Sequence, residues 1–448
     1  MSATEGTPPT PPEQAPTEPE HDDPTVAHGA DEMALTAAPE IVANNLSEYL
    51  AAWGRRIRNG ESGVVPVLLG LVAIVIFFQI ENSKYLGSTN LVNLFTQAAL
   101  YIMFGAAEFF ALILSEIDLS LGYLAGVCAM TIAELMAPNV GFPWWLALIC
   151  GLGVGTFFGF VQGTLITRLG LPSFVVTLGG LLGFEGLLLE LAQVDSAAQG
   201  GVISIPGSSP LSKLTSSQLS STASWIVLIV VLAVFAAATL WSAQRRRSEG
   251  LSAPPMSVTL LTVAGVAIVG VVIVLICNGN RGVLVPIRGV PWIVPFVFIV
   301  IMAYTFMMGR TKLGRYLYAI GNNPEAARRA GIKVPRFRTI GFMLTGFGAG
   351  LAGLVYLSTQ GSIGTDIDGG NFVLYAVGSA VIGGTSLFGG RGKPAHTLLG
   401  GLVIGAVING LTLKGVGPAV QDIATAIVLI LAVTVDALVR RRSATIAR

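Results

Sequence analysis

Apolar segments of about twenty residues recur along this chain, near 64–80, 91–114, 119–136, 144–167, 171–192, 225–242, 257–277, 292–308, 339–358, 372–388, 395–413 and 419–439. A helix needs roughly 20 apolar residues to cross about 30 Å of hydrocarbon. Only 11% of the residues are charged, against about 25% in a soluble domain. The segments predict an all-α polytopic membrane protein with about 12 transmembrane helices.

Lys and Arg orient it, because short basic loops stay in the cytosol. With a cytosolic N-terminus, inside segments hold 21 of the 26 basic residues and outside segments five. An even number of spans then returns the C-terminus to the cytosol. The two termini differ in character. Residues 1–40 carry eight Pro, nine Asp or Glu and no Lys or Arg. Such a segment cannot bury enough apolar surface to offset its ordering entropy, so it reads as a disordered tail. Over 41–60, Ile41, Leu46, Leu50 and Trp53 recur near helical spacing ahead of Arg55, Arg56 and Arg58, as in an interfacial amphipathic helix. The membrane unit is then 61–448. Within it, the pair over 225–277, joined at Arg245, Arg246 and Arg247, reads as an insertion into a core of about ten spans. The Ser-, Gly- and Pro-rich stretch 193–224 falls outside.

Glycines mark the packing. Gly151, Gly155, Gly159 and Gly163 repeat every four residues, a row that lets helices approach closely. Gly346, Gly350 and Gly353, spaced four and three apart, and Gly401 and Gly405, four apart, do similar work.

Residues 309–338 form the most basic loop, with eight Lys or Arg and one acid, Glu325. Asn323 can cap a helix whose first residue is Pro324. Glu325 suits its first turn, Ala326, Ala327, Arg328, Arg329 and Ala330 favour helix, and Gly331 can end it. A short cytosolic helix over 323–333 is expected.

Three stretches carry a family resemblance. Glu325-Ala326-Ala327 followed by Gly331 resembles the EAA motif of ABC importer permeases. Ile117 to Gly122 (IDLSLG) resembles the GIDLSVG segment of sugar permeases of the ribose and xylose type. Ile382 to Gly392 (IGGTSLFGGRG) resembles their GGTSLxGGxG loop. The resemblance runs from about Pro66 to the C-terminus, and the extra hydrophobic pair favours the xylose type. It implies a multi-pass permease subunit in a bacterial inner membrane that moves a monosaccharide, xylose first among the candidates. Expected partners are a second permease copy, a cytosolic ATPase that docks on Asn323 to Gly331, an extracytoplasmic sugar-binding protein, the sugar and membrane lipid. Nucleic acid is not an expected partner. ATP and Mg would sit in the ATPase, for this chain has no GxxxxGK[ST] loop. No covalent catalysis, cofactor or metal is expected, and the three cysteines have no CxxC spacing.

A sugar path needs polar groups inside the bundle. Asn93, Gln97, Tyr101, Phe104 and Glu108 share one helical face, and Asn409, Thr412, Gln421 and Asp422 offer further lining. Helix–helix hydrogen bonding would use the same side chains. Glu108 lies near the inner end of its span and could reach the cytosolic surface. Asp118 and Ser120 either cap the third span or open a broken helix whose free N–H groups face a ligand. Asp366 and Asp368 fall outside, where they could meet the binding protein or simply be solvated. Gly383, Gly384, Thr385, Ser386, Gly389 and Gly390 predict a tight turn or gate.

Two other classes stay open. A proton-coupled secondary sugar transporter would use Glu108, Asp118 or Glu185 as its carrier. A passive channel would have no use for the cytosolic helix.

Overall fold

The computed structural model describes residues 47, 48, 51, 54, 65–194, 201–249, 255–282 and 285–446. The acidic tail lies outside them. So does the helix expected over 41–60, except for four exposed helical positions.

Helices dominate: α1 Val65–Glu81, α2 Ser88–Leu112, α3 Leu121–Met136, α4 Trp144–Arg168 and α5 Ser173–Val194. After strand β1 (Val202–Ser204) come α6 Pro210–Ser216, α7 Ser221–Ser248, α8 Met256–Asn278 and α9 Ile293–Arg310. The basic loop holds α10 Lys312–Asn322 and α11 Pro324–Arg329, and leads into α12 Val334–Gln360. Strand β2 (Ser362–Gly364), α13 Gly369–Ile382, α14 Thr397–Leu413 and α15 Pro418–Ile446 complete the chain.

Among the described residues, eight helices are long and apolar enough to cross a membrane: α2, α4, α5, α7, α8, α9, α12, and α14 with the turn before it. The apolar helices α1, α3 and α13, and the Pro418–Leu431 part of α15, are shorter. Every apolar segment of the sequence thus meets a helix, although the segment expected over 372–388 ends as helix at Ile382.

The hub is α2 and α12, whose most apolar windows are 83% and 78% buried. The corresponding windows of α7 and α8 are 6% and 11% buried. That pair packs mainly on itself, and a small apolar cluster, Val92, Leu219, Val274, Cys277 and Val290, joins α8 to α2 and to the segments that precede α7 and α9. The glycine row of α4 explains how α12 comes so close. A Cβ at Gly155 would overlap the carbonyl oxygen of Gly346, and one at Gly159 that of Phe342.

The helices α3 and α13 have 16 and 14 residues. At 1.5 Å per residue they are roughly 24 and 21 Å long, short of a full crossing. Both begin inside the bundle. Phe372, in the first turn of α13, stacks on Phe104, far down α2, with ring centroids 4.8 Å apart. A Cβ at Gly122, in the first turn of α3, would overlap the carbonyl oxygen of Gly369, the first residue of α13. The N-termini of the two short helices therefore meet side by side.

Two expectations change. The stretch 193–224 is not merely a loop, for β1 pairs antiparallel with β2, Val202 opposite Gly364 and Ser204 opposite Ser362. The basic loop carries two helices, and the expected 323–333 helix is only six residues long. Gly331, at φ +82°, turns the chain there, a conformation that costs glycine little.

Candidate functional site

Three polar assemblies lie along α2, and its predicted stripe divides among them. At the outer end, Asn93 is exposed. Gln97 Oε1 accepts from Asn409 Nδ2 at 3.3 Å, and Asn409 Oδ1 accepts from Asn90 Nδ2 at 2.8 Å. Tyr85 donates to the Ala406 carbonyl at 3.0 Å. This row ties α2 to α14.

In the middle, Tyr101 and Phe104 face α13. Tyr101 meets Tyr375 edge-on at 5.2 Å, and Phe372 lies between Phe104 and Tyr356, 5.5 Å from the latter. Polar groups border the rings. Tyr375 donates to Asp422 Oδ1 at 2.9 Å, and Asn371 Nδ2 donates to Asp368 Oδ2 at 2.6 Å. Asp368 also caps α13, accepting from the Asn371 N–H at 3.2 Å. Aromatic faces beside carboxylates and an amide can stack on a C–H surface and bind hydroxyls. Asn371, Phe372 and Tyr375 escape the sequence reading because they sit at the edge of an apolar run. Their signal is one amide and two aromatics within five residues. Asp366 is exposed, two residues beyond β2.

At the inner end lies a buried knot. Glu108 does not reach the surface; it is fully buried, and its Oε1 accepts from the Asp118 N–H at 3.1 Å. Asp118 Oδ1 accepts from the Ser120 N–H at 2.9 Å and from the Ser120 hydroxyl at 2.6 Å. Gln162 Nε2 of α4 donates to Ser120 Oγ at 2.7 Å. Asp118 thus shapes the turn ahead of α3, while Ser120, at the cap position, makes no side-chain capping bond.

Below the knot, three segments interlock. Gly390 N donates to the Ile113 carbonyl at 2.9 Å, and Ser115 donates to the Phe388 carbonyl at 2.8 Å. Tyr318 of α10 donates to the Gly392 carbonyl at 2.7 Å. Burial pushes its phenol up to about 12. Gly384, Gly389, Gly390 and Gly392 all have positive φ, so the 383–392 segment is a tight turn. Gly383, Thr385 and Ser386 are buried beneath it.

Beside this junction, α11 stands exposed. Asn323 Oδ1 caps it, accepting from Glu325 N at 3.1 Å and Ala326 N at 2.9 Å. Pro324, Glu325, Ala326, Arg328 and Arg329 are exposed, and Ala327 is buried. Glu325 pairs with Arg328 at 2.8 Å and Arg329 at 3.7 Å. Among the described residues, no group of His, Cys, Asp and Glu is placed to hold a metal ion.

A family model described as branched-chain amino acid transport system / permease component matches residues 90–433, from α2 into α15. The chain belongs to this family. Like the family's other members, it is a transport permease, and its apolar helices make it a multi-pass inner-membrane protein. The xylose transport system permease protein XylH of Escherichia coli K12 is 32% identical over 383 residues, 85% of this chain and 93% of XylH. The D-allose transport system permease protein AlsC of the same strain is 28% identical over 370 residues, 83% of this chain and 90% of AlsC. The fructose import permease protein FrcC of Rhizobium meliloti is 28% identical over 388 residues, 86% of this chain and 88% of FrcC. No solved structure matches the chain.

Proposed function

We propose that this permease is the membrane subunit of a bacterial ABC importer for a monosaccharide, with xylose the first candidate. It works as two copies with a cytosolic ATPase and an extracytoplasmic sugar-binding protein. The observation that carries this reading is the pairing of an exposed, capped helix with a bonded junction. Helix α11 offers Glu325, Arg328 and Arg329 to the cytosol, and the adjoining α10 is fastened to the 383–392 turn. A push on α11 would pass through α10 to that turn and to the corner at Ile113, whose segment leads on to α3. The sugar would pass along the rings and polar groups of Tyr101, Phe104, Phe372, Tyr375, Asn371 and Asp422. Asp366 and Asp368 would face the binding protein. Similarity to XylH over most of both chains supports xylose, and similarity to AlsC and FrcC keeps hexoses in play.

The test is uptake of labelled xylose into vesicles holding the whole native complex, with ATP on the cytosolic side. Uptake that needs ATP, survives a proton ionophore and falls with Glu325→Lys, the complex still inserting, supports the importer. Uptake abolished by the ionophore favours a proton-coupled carrier, a reading to which the buried Glu108 and Asp118 lend weight. Competition by allose, fructose or ribose that exceeds competition by xylose keeps the importer and discards the sugar.

A further inference from the structure

The knot below α2 has no part in that transport scheme, and its hydrogen bonds do not balance. Glu108, Asp118, Ser120 and Gln162 are 0, 1, 0 and 4% exposed. The donors run in one direction, from Gln162 to Ser120 to Asp118, and from the Asp118 N–H to Glu108. Three buried oxygens then have no partner: Glu108 Oε2, Asp118 Oδ2 and Gln162 Oε1. All are acceptors. Buried acceptors without donors are costly, and two neighbouring carboxylates in a dry interior cannot both be charged without a cation.

Among the described residues, the groups packed around the knot supply no cation. Glu116 of the α2–α3 corner takes up Arg338 of α12 and the hydroxyl of Ser173 of α5. Tyr123 of α3 donates to Glu185 of α5 at 3.1 Å. From α12, Gly348 abuts Ala107, and from α13 neutral Ser379 abuts Gly105.

We propose that Glu108 and Asp118 form a binding site for a single proton, carried on Glu108 Oε2 and donated toward Asp118 Oδ2. The structure leaves one buried oxygen of each carboxylate free to share that hydrogen. The assignment to Glu108 follows from the donors already present. Asp118 Oδ1 accepts two, which suits an ionised carboxylate, whereas Glu108 accepts one backbone N–H. The proton fastens the start of α3 to α2, one turn from the corner that meets the 383–392 segment.

Infrared spectroscopy of the full chain in lipid at neutral pH tests this. A protonated-carboxyl C=O band that shifts in D2O and disappears in Glu108→Gln is expected. The Gln variant, whose amide replaces the acid's O–H donor, should melt within a few degrees of the parent. Absence of the band, or a band unchanged in Glu108→Gln, overturns the proposal. Should that variant fail to assemble, Glu108→Asp must move the band, and an unmoved band overturns the proposal equally. Stabilisation by sodium over choline chloride that is lost in the Glu108 variant, with no carboxyl band, overturns it in favour of a sodium site.

Discussion

Tyr318 donates its phenolic hydrogen to the carbonyl oxygen of Gly392 at 2.7 Å, joining the amphipathic helix α10 to a glycine turn far along the chain. The ring lies against the junction, and among the described residues the hydroxyl bonds only there. Tyr318→Phe keeps the ring and removes the bond, a loss of about 1 kcal/mol. Insertion should persist while sugar moved per ATP hydrolysed falls, measured in vesicles with the ATPase present. Equal uptake and hydrolysis ratios in the two proteins would exclude this contact from coupling. Because burial raises the phenol from 10.0 to about 12, the donor is intact up to about pH 10. Its contribution to stability is present below 10 and declines as pH rises towards 12.

Gly321 has no room for a side chain. A Cβ there would overlap the Ile113 carbonyl oxygen and stand 2.7 Å from Gly390 N. Gly321→Ala should destabilise the protein by about 1–3 kcal/mol, as overpacking does. Gly186→Ala is the control, for a Cβ on that exposed helical residue meets nothing within 4 Å. Its helix propensity predicts no loss and a gain of up to about 1 kcal/mol. Melting in detergent compares the two, and equal midpoints would refute the packing account.

The cap on α11 gives a local prediction. Asn323→Ala removes the acceptor of two backbone N–H groups and should cost the short helix about 1 kcal/mol. Amide exchange over 325–330 should quicken, and Asn323→Ser should restore most of the protection. Glu325→Gln, which weakens exposed ion pairs, should change stability by about 1 kcal/mol or less. Faster exchange in Glu325→Gln than in Asn323→Ala would reverse the ranking.

At the aromatic patch, Tyr375→Phe keeps the ring contacts with Tyr101 and Phe372 and loses the bond to Asp422. If sugar hydroxyls meet this pair, KM for uptake should rise about fivefold, the equivalent of about 1 kcal/mol. Asp422→Asn should act in the same direction. Unchanged KM in both variants would place the sugar path elsewhere.

Much of the architecture is legible in residues because a bilayer demands long apolar runs and each run here meets a helix. The cap at Asn323 and the turn at Gly331 follow from local chemistry alone. What stays hidden is depth. Gly369 looks like an ordinary span start, and the turn before Leu121 reads equally as a cap or as a broken helix, yet contacts between Gly122 and Gly369, over two hundred residues apart, set both inside the bundle. Helical spacing likewise places Asn93 to Glu108 on one face but does not say that this face meets α14, α13 and the α3 turn in succession. Helix α10 was readable: Leu313, Leu317 and Ile320 recur at helical spacing, and the basic residues around them obscured it. The strands β1 and β2, three residues each, carry too little pattern to be seen.

The β1–β2 ribbon makes the two ends of the molecule mechanically unlike. At one end, backbone bonds between Val202–Ser204 and Ser362–Gly364 clasp stretches more than 150 residues apart, with α6 fastened alongside where Thr215 bonds Ser358. At the opposite end, around the 383–392 turn, the segments are held by isolated bonds about glycines, Gly390 to Ile113, Ser115 to Phe388 and Tyr318 to Gly392. If the proposed ATPase pushes on α11, that end would give first, and the ribbon end would act as a pivot rather than as a door.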